Sequence, residues 1–532
     1  MICKIWERLI KDRASFATCN INKLQAGSTK NKSTADHTFI IRSCITRAVY
    51  LKCSLFLNFY DFRQCFDKLW LEDSVISLYK LGLQNEFLSL IYKTNLEANI
   101  VVKTPFGNSA SFTKTSIVKQ GSVTACCLCS ATTGEFCDEN TEGGMSIGDV
   151  IIRNLAYVDD VMLANSNVTD ANSSHNKFCF FADKKKQPLN EDKCFLLPVN
   201  CRPTDAVPVQ VVNDKLVKIK EMVTYLGDIF NQKGNYKDMI EDRVRKATVC
   251  TINAMALCSD QEMGRYAIES LLLLYAMVFI PGILYNSETW NNLSKNDISR
   301  LQSSQNKYLK WMLHTPRGTS TAFTLLELGI LPINREIELR KLNWLHHILT
   351  LPDDDPVLQV YIGQKKLVAE PNWFNEITGL LREHNINFNE DDIKNMSKGR
   401  WKNVTKSAVH ETTLRALNLE CKNQSKTAGA PAYHKLLKQQ YFTQLSPSKA
   451  RTLFQIRAGV FDIKSNRPYQ YDDQTCRVCE LENETLDHIV NECTQPDRVP
   501  ILTSDVYSIC EEERTEMLSR IEQFKELLQR KD

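Results

Sequence analysis

The sequence lacks a long apolar run, and its cysteines have no regular spacing. Its longest apolar stretch, from Leu271 to Tyr285, is shorter than the roughly 20 residues that cross a bilayer. Lys4, Glu7 and Arg8 interrupt the first apolar stretch, so no signal peptide is visible. We therefore expect an intracellular protein without a transmembrane segment.

Composition excludes several other classes of protein. With 43% hydrophobic and 24% charged residues in 532, the chain is neither disordered, collagen-like nor coiled-coil, and its length suits about three domains. The 19 cysteines are scattered through apolar segments, which indicates buried thiols in a reducing compartment rather than a disulfide scaffold. Only Cys476, Cys479 and Cys493 are spaced like ligands.

Basic residues are concentrated in one part of the chain. The net charge is only +3, yet 15 Lys and Arg stand against three acids between Lys394 and Arg467. A solvated helix face usually mixes its signs, so this excess indicates a polyanionic partner such as nucleic acid.

Periodicity gives a coarse order of elements. Residues 1–50 read as helix, polar loop and helix, followed by a strand-like run from Leu51 to Tyr60. A helix is predicted from Asp67 to Leu81, and two strands flank a tight hairpin at Val158-Asp159-Asp160. Residues 238–351 have helical periodicity, and an amphipathic helix is predicted over residues 511–530.

Three carboxylates stand at predicted strand ends. Asp61 ends an apolar strand, while Asp159 and Asp160 occupy the hairpin tip. Ionised acids beside a buried strand are costly without a partner, and Mg²⁺ prefers carboxylate oxygens together with substrate phosphates. Two such ions serve phosphoryl transfer. Alternatively, Asp-Asp at a hairpin is ordinary turn chemistry.

Five segments in this order resemble motifs of the reverse transcriptases of LINE-type (non-LTR) retrotransposons. A sixth, in the helical region, resembles the Y-G-x-E-x-W pattern of the thumb. The segments are Tyr60-Asp-Phe-Arg-Gln-Cys-Phe-Asp67, Lys119-Gln-Gly121, Ala156-Tyr-Val-Asp-Asp160, Pro188-Leu-Asn-Glu-Asp-Lys193, Tyr225-Leu-Gly227 and Ile283-Leu-Tyr-Asn-Ser-Glu-Thr-Trp290.

The resemblance implies roles for individual residues. Asp61, Asp159 and Asp160 would hold two Mg²⁺ (or Mn²⁺) ions, and the backbone carbonyl of Phe62 would add a ligand. Phe66 would be the aromatic gate that rejects a ribose 2′-OH, although it also suits a core position. Gln120 and Gly121 would lie against the incoming nucleotide and template, and Lys193 would donate a proton to the leaving pyrophosphate, although a solvated lysine is the common alternative.

Some positions depart from the family pattern. Ser28 and Thr29 stand where Phe and Arg are expected in a Q-x-G-F-R-x-x-x-S-T-x-D motif at residues 25–36, and residues 119–126 lack two usual prolines. We also expect truncated fingers and no endonuclease domain. The alternative to an active enzyme is therefore a truncated or domesticated retroelement protein that only binds nucleic acid.

A second cluster has the spacing of a zinc site. Cys476-x2-Cys479-x8-His488-x4-Cys493 supplies four soft ligands for a tetrahedral ion, with His488 and Cys493 expected on the following helix. Only 18 residues are involved, so metal would have to supply folding energy. With Glu484-Thr485, the cluster resembles the C-terminal zinc knuckle of LINE-type elements.

The basic segment upstream contains aromatic residues with two interpretations. They either stack on nucleic-acid bases or form the core of a small helical domain. The residues are Trp401, Tyr433, Tyr441 and Phe442.

The resemblance implies an α+β, right-hand polymerase fold and RNA-templated DNA synthesis. The expected domains are partial fingers (1–50), palm with the remaining fingers elements (51–237), helical thumb (238–352), basic helical segment (353–470), CCHC zinc knuckle (471–495) and C-terminal helix (496–532). Template RNA, primer or target DNA and dNTPs are the expected partners, Mg²⁺ and Zn²⁺ the cofactors, and nucleus and cytoplasm the location.

Overall fold

The computed structural model describes residues 2–13, 20–96, 98–114, 118, 122–257, 268–493, 500–501, 503 and 506–531. In the described part of the chain, fifteen strands are found, all before residue 232. They are β1 (Leu55–Tyr60), β2 (Ala98–Ile100), β3 (Lys103–Thr104), β4 (Gly107–Asn108), β5 (Phe112–Lys114), β6 (Met145–Ile147), β7 (Val150–Ile152), β8 (Asn154–Tyr157), β9 (Asp160–Asn165), β10 (Phe195–Val199), β11 (Val211–Val212), β12 (Lys215–Leu216), β13 (Lys218–Ile219), β14 (Met222–Tyr225) and β15 (Asp228–Asn231).

Helices surround these strands and continue to the C-terminal region. Those in the first half are α1 (Ile2–Arg13), α2 (Thr34–Leu51), α3 (Cys65–Lys68), α4 (Leu71–Lys80), α5 (Asn85–Asn95), α6 (Ala125–Glu139), α7 (Val168–Lys184), α8 (Lys237–Leu257) and α9 (Ile268–Leu274). A π-helical turn, Tyr275–Phe279, joins α9 to α10 (Ile280–Ile283), and a 3₁₀ turn follows at Ser287–Thr289.

The remaining helices follow in order, with a further 3₁₀ turn at Lys464–Asn466. They are α11 (Lys295–Met312), α12 (Thr321–Leu328), α13 (Ile333–Leu349), α14 (Pro356–Lys365), α15 (Trp373–Glu383), α16 (Glu390–Asn395), α17 (Lys398–Lys422), α18 (Tyr441–Gln444), α19 (Pro447–Arg457), α20 (Leu486–Asn491) and α21 (Glu511–Lys531). The predicted α+β class, the helical region after residue 237 and the C-terminal helix are all confirmed.

The central sheet has the strand order β13-β10-β1-β9-β8. Strand β1 lies in the middle and runs antiparallel to both β9 and β10, and all six of its residues are buried. Such a strand reads as a continuous apolar run because both of its faces are covered. The end of β1 therefore delivers the next residue, Asp61, to the edge of a rigid element.

Helix α2 shows why its sequence folds locally as it does. Ser33 is the N-cap residue, and the Asp36 carboxylate accepts hydrogen bonds from the backbone N–H and hydroxyl of Ser33. This capping box satisfies N–H groups that have no partner within the helix. The S-T-x-D part of the motif thus begins α2, which buries Phe39, Ile41 and Cys44 completely.

Two predicted boundaries were wrong. The strand expected from Leu51 begins at Leu55, because α2 extends through Leu51 and Lys52 ends it in the left-handed conformation. The helix expected over residues 67–81 is split into α3 and α4, since Leu69 and Trp70 are extended between them. The extended pair lets both Leu69 and Leu71 reach the core.

The apolar side chains form two main cores. The larger one joins one face of the central sheet to the helices after residue 237 and reaches Phe524 in α21. The other lies between the opposite face of the sheet and α4, α5, α6 and α7, where Phe136 and Phe178 contact each other edge to face. The central sheet is thus buried on both faces and holds the carboxylate-bearing strand ends in place.

Helix α17 settles the interpretation of its aromatic residue. Its buried residues recur mainly every fourth position from Trp401 to Cys421, and the Trp401 indole N–H donates to the Leu342 carbonyl (2.7 Å). Tyr441 and Phe442 are also buried, and the Tyr433 hydroxyl donates to Glu327. These four aromatics belong to the core, so the stacking alternative was wrong.

The cysteines behave as the sequence predicts. Sixteen in the described part of the chain are free thiols, and all except Cys510 are buried or half-buried. Among the described helices, none is long and apolar enough to cross a membrane.

Candidate functional site

The structure brings Asp61 and Asp160 side by side. Tyr60 pairs with Val161 in the antiparallel ladder of β1 and β9, so Asp61, which follows β1, lies opposite Asp160, the first residue of β9. Asp159 precedes Asp160 in the hairpin between β8 and β9. Three half-buried carboxylates therefore lie at neighbouring strand ends of the central sheet.

The hairpin itself is a tight turn of two residues. Tyr157 pairs with Asp160, which leaves Val158 and Asp159 as the loop, and Val158 has a φ of +60°. A positive φ at the first loop residue is the pattern of a type II′ turn, where glycine is preferred. A β-branched residue is strained in this conformation, so other contacts must hold it there.

The electrostatics of these acids suit a cation. Burial and the neighbouring carboxylates Asp159 and Asp61 raise the pKa of Asp160 to about 6, although Lys193 opposes the shift. Burial is also the largest cause of the raised pKa of Asp159, and Asp61 adds to it. Neither Asp159 nor Asp160 forms a side-chain ion pair with a described residue. Repelling, unpaired carboxylates of this kind are stabilised by divalent cations.

The three aspartates form an open group. Their oxygens do not come within 4.8 Å of one another as a set, whereas the Cys/His cluster further along the described chain does. Two ions about 3.5–4 Å apart spread their ligands over a wider area than one ion does.

The segment Pro188–Lys193 folds back onto Asp61. The Asn190 backbone N–H donates to the Asp61 carbonyl (2.8 Å), and its side-chain amide lies 3.3 Å from the Asp61 carboxylate. The Lys193 ammonium is 3.3 Å from the same carboxylate and is 63% exposed. Lys193 therefore reaches the site while remaining open to solvent. Asn190 was missed as a site residue, although it stands within the quoted motif.

The predicted nucleotide-binding residues are only partly described. Phe62 is buried against Phe178 (5.8 Å between ring centroids), and Phe66 lies half-buried in α3, five residues after Asp61. Gln120 and Gly121, with Lys119 before them, lie outside the described residues.

A contact that the sequence does not predict, between Gln25 and Val158, supports the hairpin. Gln25 is fully buried, and its amide binds both the backbone N–H and the carbonyl of Val158. Gly27 lies so close that a Cβ built on it would be 2.3 Å from the Val158 nitrogen. The Q-x-G spacing at residues 25–27 was the available signal.

The fifth and sixth motifs contact each other. Leu226 and Gly227 form the two-residue turn between β14 and β15, both with positive φ, as in a type I′ turn. The Tyr285 hydroxyl donates to the Leu226 carbonyl (3.2 Å) and lies 2.7 Å from the Thr34 hydroxyl at the start of α2. The helical region is thereby attached to the β14–β15 hairpin and to the start of α2.

The four Cys/His residues also converge. One ligand atom from each of Cys476, Cys479, His488 and Cys493 lies within 4.8 Å of the others. The sulfurs of Cys476 and Cys493 are 3.5 Å apart, and the Cys479 sulfur is 3.2 Å from His488 Nε2. His488 lies in α20 as predicted, but Cys493 follows the end of that helix rather than lying on it, because the chain turns at Glu492.

The protonation of these thiols fits a metal-ligand role. Burial would raise the pKa of Cys479, but hydrogen bonds from the backbone of Leu481 and Glu482 and from His488 lower it to about 7. Burial and the adjacent Cys476 thiol raise the pKa of Cys493. A cation bound between the sulfurs would stabilise the thiolate forms of both Cys479 and Cys493.

Glu484 and Thr485, the E-T pair before His488, make hydrogen bonds that hold the ligand-bearing segments. Glu484 is fully buried and accepts from the guanidinium and backbone N–H of Arg477, which stands between Cys476 and Cys479. The Thr485 hydroxyl accepts from the His488 N–H (3.1 Å) and so caps α20. These two residues position the ligands.

A basic cavity of about 850 Å³ lies between the loop at residues 28–33 and α13. Ser28 and Thr29, where the family pattern has Phe and Arg, line it. Its lining also includes five lysines: Lys11, Lys23, Lys30, Lys32 and Lys398.

Comparison with known proteins finds a family match and a distant relative. Residues 1–230 match the family "Reverse transcriptase (RNA-dependent DNA polymerase)". The RNA-directed DNA polymerase from mobile element jockey of Drosophila funebris is 23% identical over 329 residues, covering 59% of this chain and 34% of that protein. The chain thus spans about a third of the length of this relative.

Solved telomerase structures are more distant. Apo telomerase from Candida tropicalis is 11% identical with a TM-score of 0.34, covering 79% of this chain and 60% of that one. Its form truncated from the C-terminal domain is 15% identical with a TM-score of 0.30, covering 42% and 43%.

The family match and the sheet geometry agree. The matched region includes the central sheet and all three aspartates. The α+β class is confirmed, and the central sheet lies in the region expected to form the palm. Residues 1–230 match the reverse transcriptase family, and the chain is similar to an RNA-directed DNA polymerase of a mobile element.

Proposed function

We propose that this protein is an RNA-directed DNA polymerase that extends a primer with dNTPs on an RNA template. The observation that carries the proposal is the meeting of Asp61, Asp159 and Asp160 at one edge of the palm sheet. The two Mg²⁺ ions that these carboxylates would hold supply activation of the primer 3′-OH and neutralisation of phosphate charge.

The residues around the carboxylates have matching roles in this proposal. Lys193 lies at Asp61 with an exposed ammonium, so it is placed to donate a proton to the leaving pyrophosphate. The Phe62 carbonyl would add a metal ligand, and the half-buried Phe66 ring would exclude a ribose 2′-OH. Gln120 and Gly121 keep their proposed contacts with nucleotide and template.

The basic surfaces suit nucleic-acid strands. The cavity with five lysines opens beside the N-terminus of α17, whose exposed residues include Lys398, Arg400, Lys402 and Lys406. Phosphates bound along this path would account for the positive segment. Template RNA and primer or target DNA are the partners we assign to it, with nucleus and cytoplasm as the location.

We assign Zn²⁺ to the Cys/His cluster. Zinc–sulfur bonds of about 2.3 Å at tetrahedral angles place sulfurs close to the separation between Cys476 and Cys493. His488 would bind through Nε2, because its Nδ1 faces Glu492 (3.3 Å). Residues 471–495 would then be a CCHC knuckle that contacts nucleic acid, after fingers (1–50), palm (51–237), thumb (238–352) and basic segment (353–470), and before the C-terminal helix (496–532).

The proposal is tested by primer extension with purified protein, a primed RNA template, Mg²⁺ and dNTPs. We expect extension by the wild type, none by Asp159→Ala, and unchanged extension by Asp149→Ala, whose exposed carboxylate pairs with Lys366. Wild-type RNA binding without extension would instead support a nucleic-acid-binding remnant.

A further inference from the structure

The turn that carries Asp159 and Asp160 cannot hold its shape by local preference. Val158 occupies the left-handed region with a φ of +60°, and its branched side chain is unfavourable there. Asp159 and Asp160 follow directly, so any relaxation of Val158 moves both carboxylates. The inference drawn from this turn rests on the proposed function, in which Asp159 and Asp160 are metal ligands. The conformation of the turn then decides where these ligands point.

One side chain satisfies both backbone groups of Val158. The Gln25 Oε1 accepts from the Val158 N–H (2.8 Å), and its Nε2 donates to the Val158 carbonyl (3.1 Å). The Thr133 hydroxyl, in α6, donates to the same carbonyl (2.8 Å) and accepts from the Gln25 amide (2.7 Å). The turn is therefore bound from two other elements.

The Gln25 amide is itself held in one orientation. Its Oε1 also accepts from the Gly27 N–H (2.8 Å), and the side chain is fully buried. The backbone beside it pairs with β8, since the Ala26 N–H donates to the Ala156 carbonyl and the Ala156 N–H donates to the Leu24 carbonyl, both at 2.9 Å. A fixed amide of this kind acts as a template for the conformation of its neighbour.

We propose that Gln25 is a positioning residue that holds Val158 in the left-handed conformation and thereby aims Asp159 and Asp160 at the divalent cations. The metal ligands lie on the hairpin, and the residue that fixes their geometry lies 133 positions earlier in the chain. In this proposal Gln25 acts through Val158 and not by binding the ions or the substrate.

The test is a double-mutant cycle in which electron paramagnetic resonance measures the affinity of the full chain for Mn²⁺. Gln25→Met keeps the volume and removes all four hydrogen bonds. Val158→Gly makes the Gln25 hydrogen bonds unnecessary for the turn conformation, because glycine adopts a positive φ without steric cost. The matched control is Gln305→Met, since Gln305 is equally buried and hydrogen-bonded to Tyr275 and Leu331 in the helical region.

We expect Gln25→Met to weaken Mn²⁺ binding by about 10-fold or more, as loss of a supporting residue does at metal sites. In the Val158→Gly background the same substitution should weaken binding much less. Gln305→Met should leave Mn²⁺ binding unchanged even if it lowers stability, which separates positioning from folding. Equal losses in both backgrounds, or no loss from Gln25→Met, would overturn the inference.

Two further outcomes distinguish this inference from the proposed activity. If Asp159→Ala binds Mn²⁺ as tightly as the wild type does, the ion does not lie at the hairpin. That result would overturn both the role of Gln25 and the proposed polymerase activity. Mn²⁺ binding that needs Asp159 and shows the expected cycle, from a protein that extends no primer, would support the inference and contradict the polymerase activity.

Discussion

The ring of Tyr285 lies against Gly227 and leaves little space for a side chain at that position. A Cβ built on Gly227 would be 3.1 Å from Tyr285 Cε1, and the φ of Gly227 is +81°. Two motifs separated by 58 positions are therefore one structural unit, in which the helical region closes over the β14–β15 turn.

Gly227→Ala should reduce the free energy of unfolding by about 1–3 kcal/mol, because it adds both backbone strain and a contact with Tyr285. Urea denaturation monitored by circular dichroism measures this loss. Gly379→Ala is the control, since that helical glycine has open space around its Cβ position and should stabilise α15 by about 0.5–1 kcal/mol. Equal effects of the two substitutions would contradict the close packing of Tyr285.

Glu327 joins α12 to the C-terminal region through buried polar contacts. Its carboxylate is fully buried, binds the Arg457 guanidinium (2.9 Å) and accepts from the hydroxyls of Tyr433 and Tyr441. Glu327→Ala leaves a buried cation without its partner and should cost about 3–5 kcal/mol in urea unfolding.

The control for that substitution is Glu411→Ala, because Glu411 forms an exposed pair with Arg415 on α17. Its loss should change stability by no more than about 0.5 kcal/mol. A small effect of Glu327→Ala would show that the contacts around Arg457 do not couple these elements.

His37 makes stability depend on pH. Burial is the main reason that its pKa falls to about 4, and Lys32 adds to the effect while Asp36 opposes it. The ring stacks on Tyr225 and meets Tyr157 edge to face. Below pH 6.5, the ordinary pKa of histidine, His37 is protonated in the unfolded chain but stays neutral in the folded protein until about pH 4. The free energy of unfolding therefore falls as the pH drops from 6.5 towards 4.

Each unit of pKa difference corresponds to about 1.4 kcal/mol, so His37 accounts for about 3 kcal/mol over this range. His37→Gln should lessen the loss of stability between pH 7 and pH 4.5 by about 2 kcal/mol or more in urea unfolding. His434→Gln is the control, because that side chain is exposed. An unchanged pH profile of His37→Gln would mean that His37 is charged in the folded protein.

Glu492 should tune zinc affinity without binding the ion. Its carboxylate faces His488 Nδ1 (3.3 Å), while Nε2 faces the cysteines. Glu492→Gln should weaken Zn²⁺ binding by about 10-fold or more in competition with a chelator dye. Cys510→Ser, which changes an exposed thiol outside the cluster, should bind Zn²⁺ as the wild type does. Equal affinities of all three proteins would remove Glu492 from the site.

Local patterns predicted the parts of the fold that local physics determines. The apolar run before Asp61 identified a buried strand, and the Asp-Asp pair identified the hairpin. The spacing of Cys476, Cys479, His488 and Cys493 was sufficient to predict that they converge. Each of these depends on residues close in sequence or on a pattern with few solutions.

Contacts between distant segments could not be predicted in this way. The Q-x-G spacing does not reveal that Gln25 binds Val158, since the partner depends on how the N-terminal segment pairs with β8. The break at Leu69 and Trp70 was missed because helical periodicity continues across it, and tertiary burial of Leu69 overrides it. Buried Trp401 was ambiguous because composition does not distinguish a core aromatic from a stacking one.

Incorporation of a single dNTP opposite a defined RNA template tests whether the three aspartates carry out DNA polymerisation. With Mg²⁺ present, we predict incorporation of the complementary nucleotide by the wild type and by Asp149→Ala, and its loss in Asp61→Ala, Asp159→Ala and Asp160→Ala. Incorporation that survives all three substitutions would show that these aspartates do not form the polymerase site.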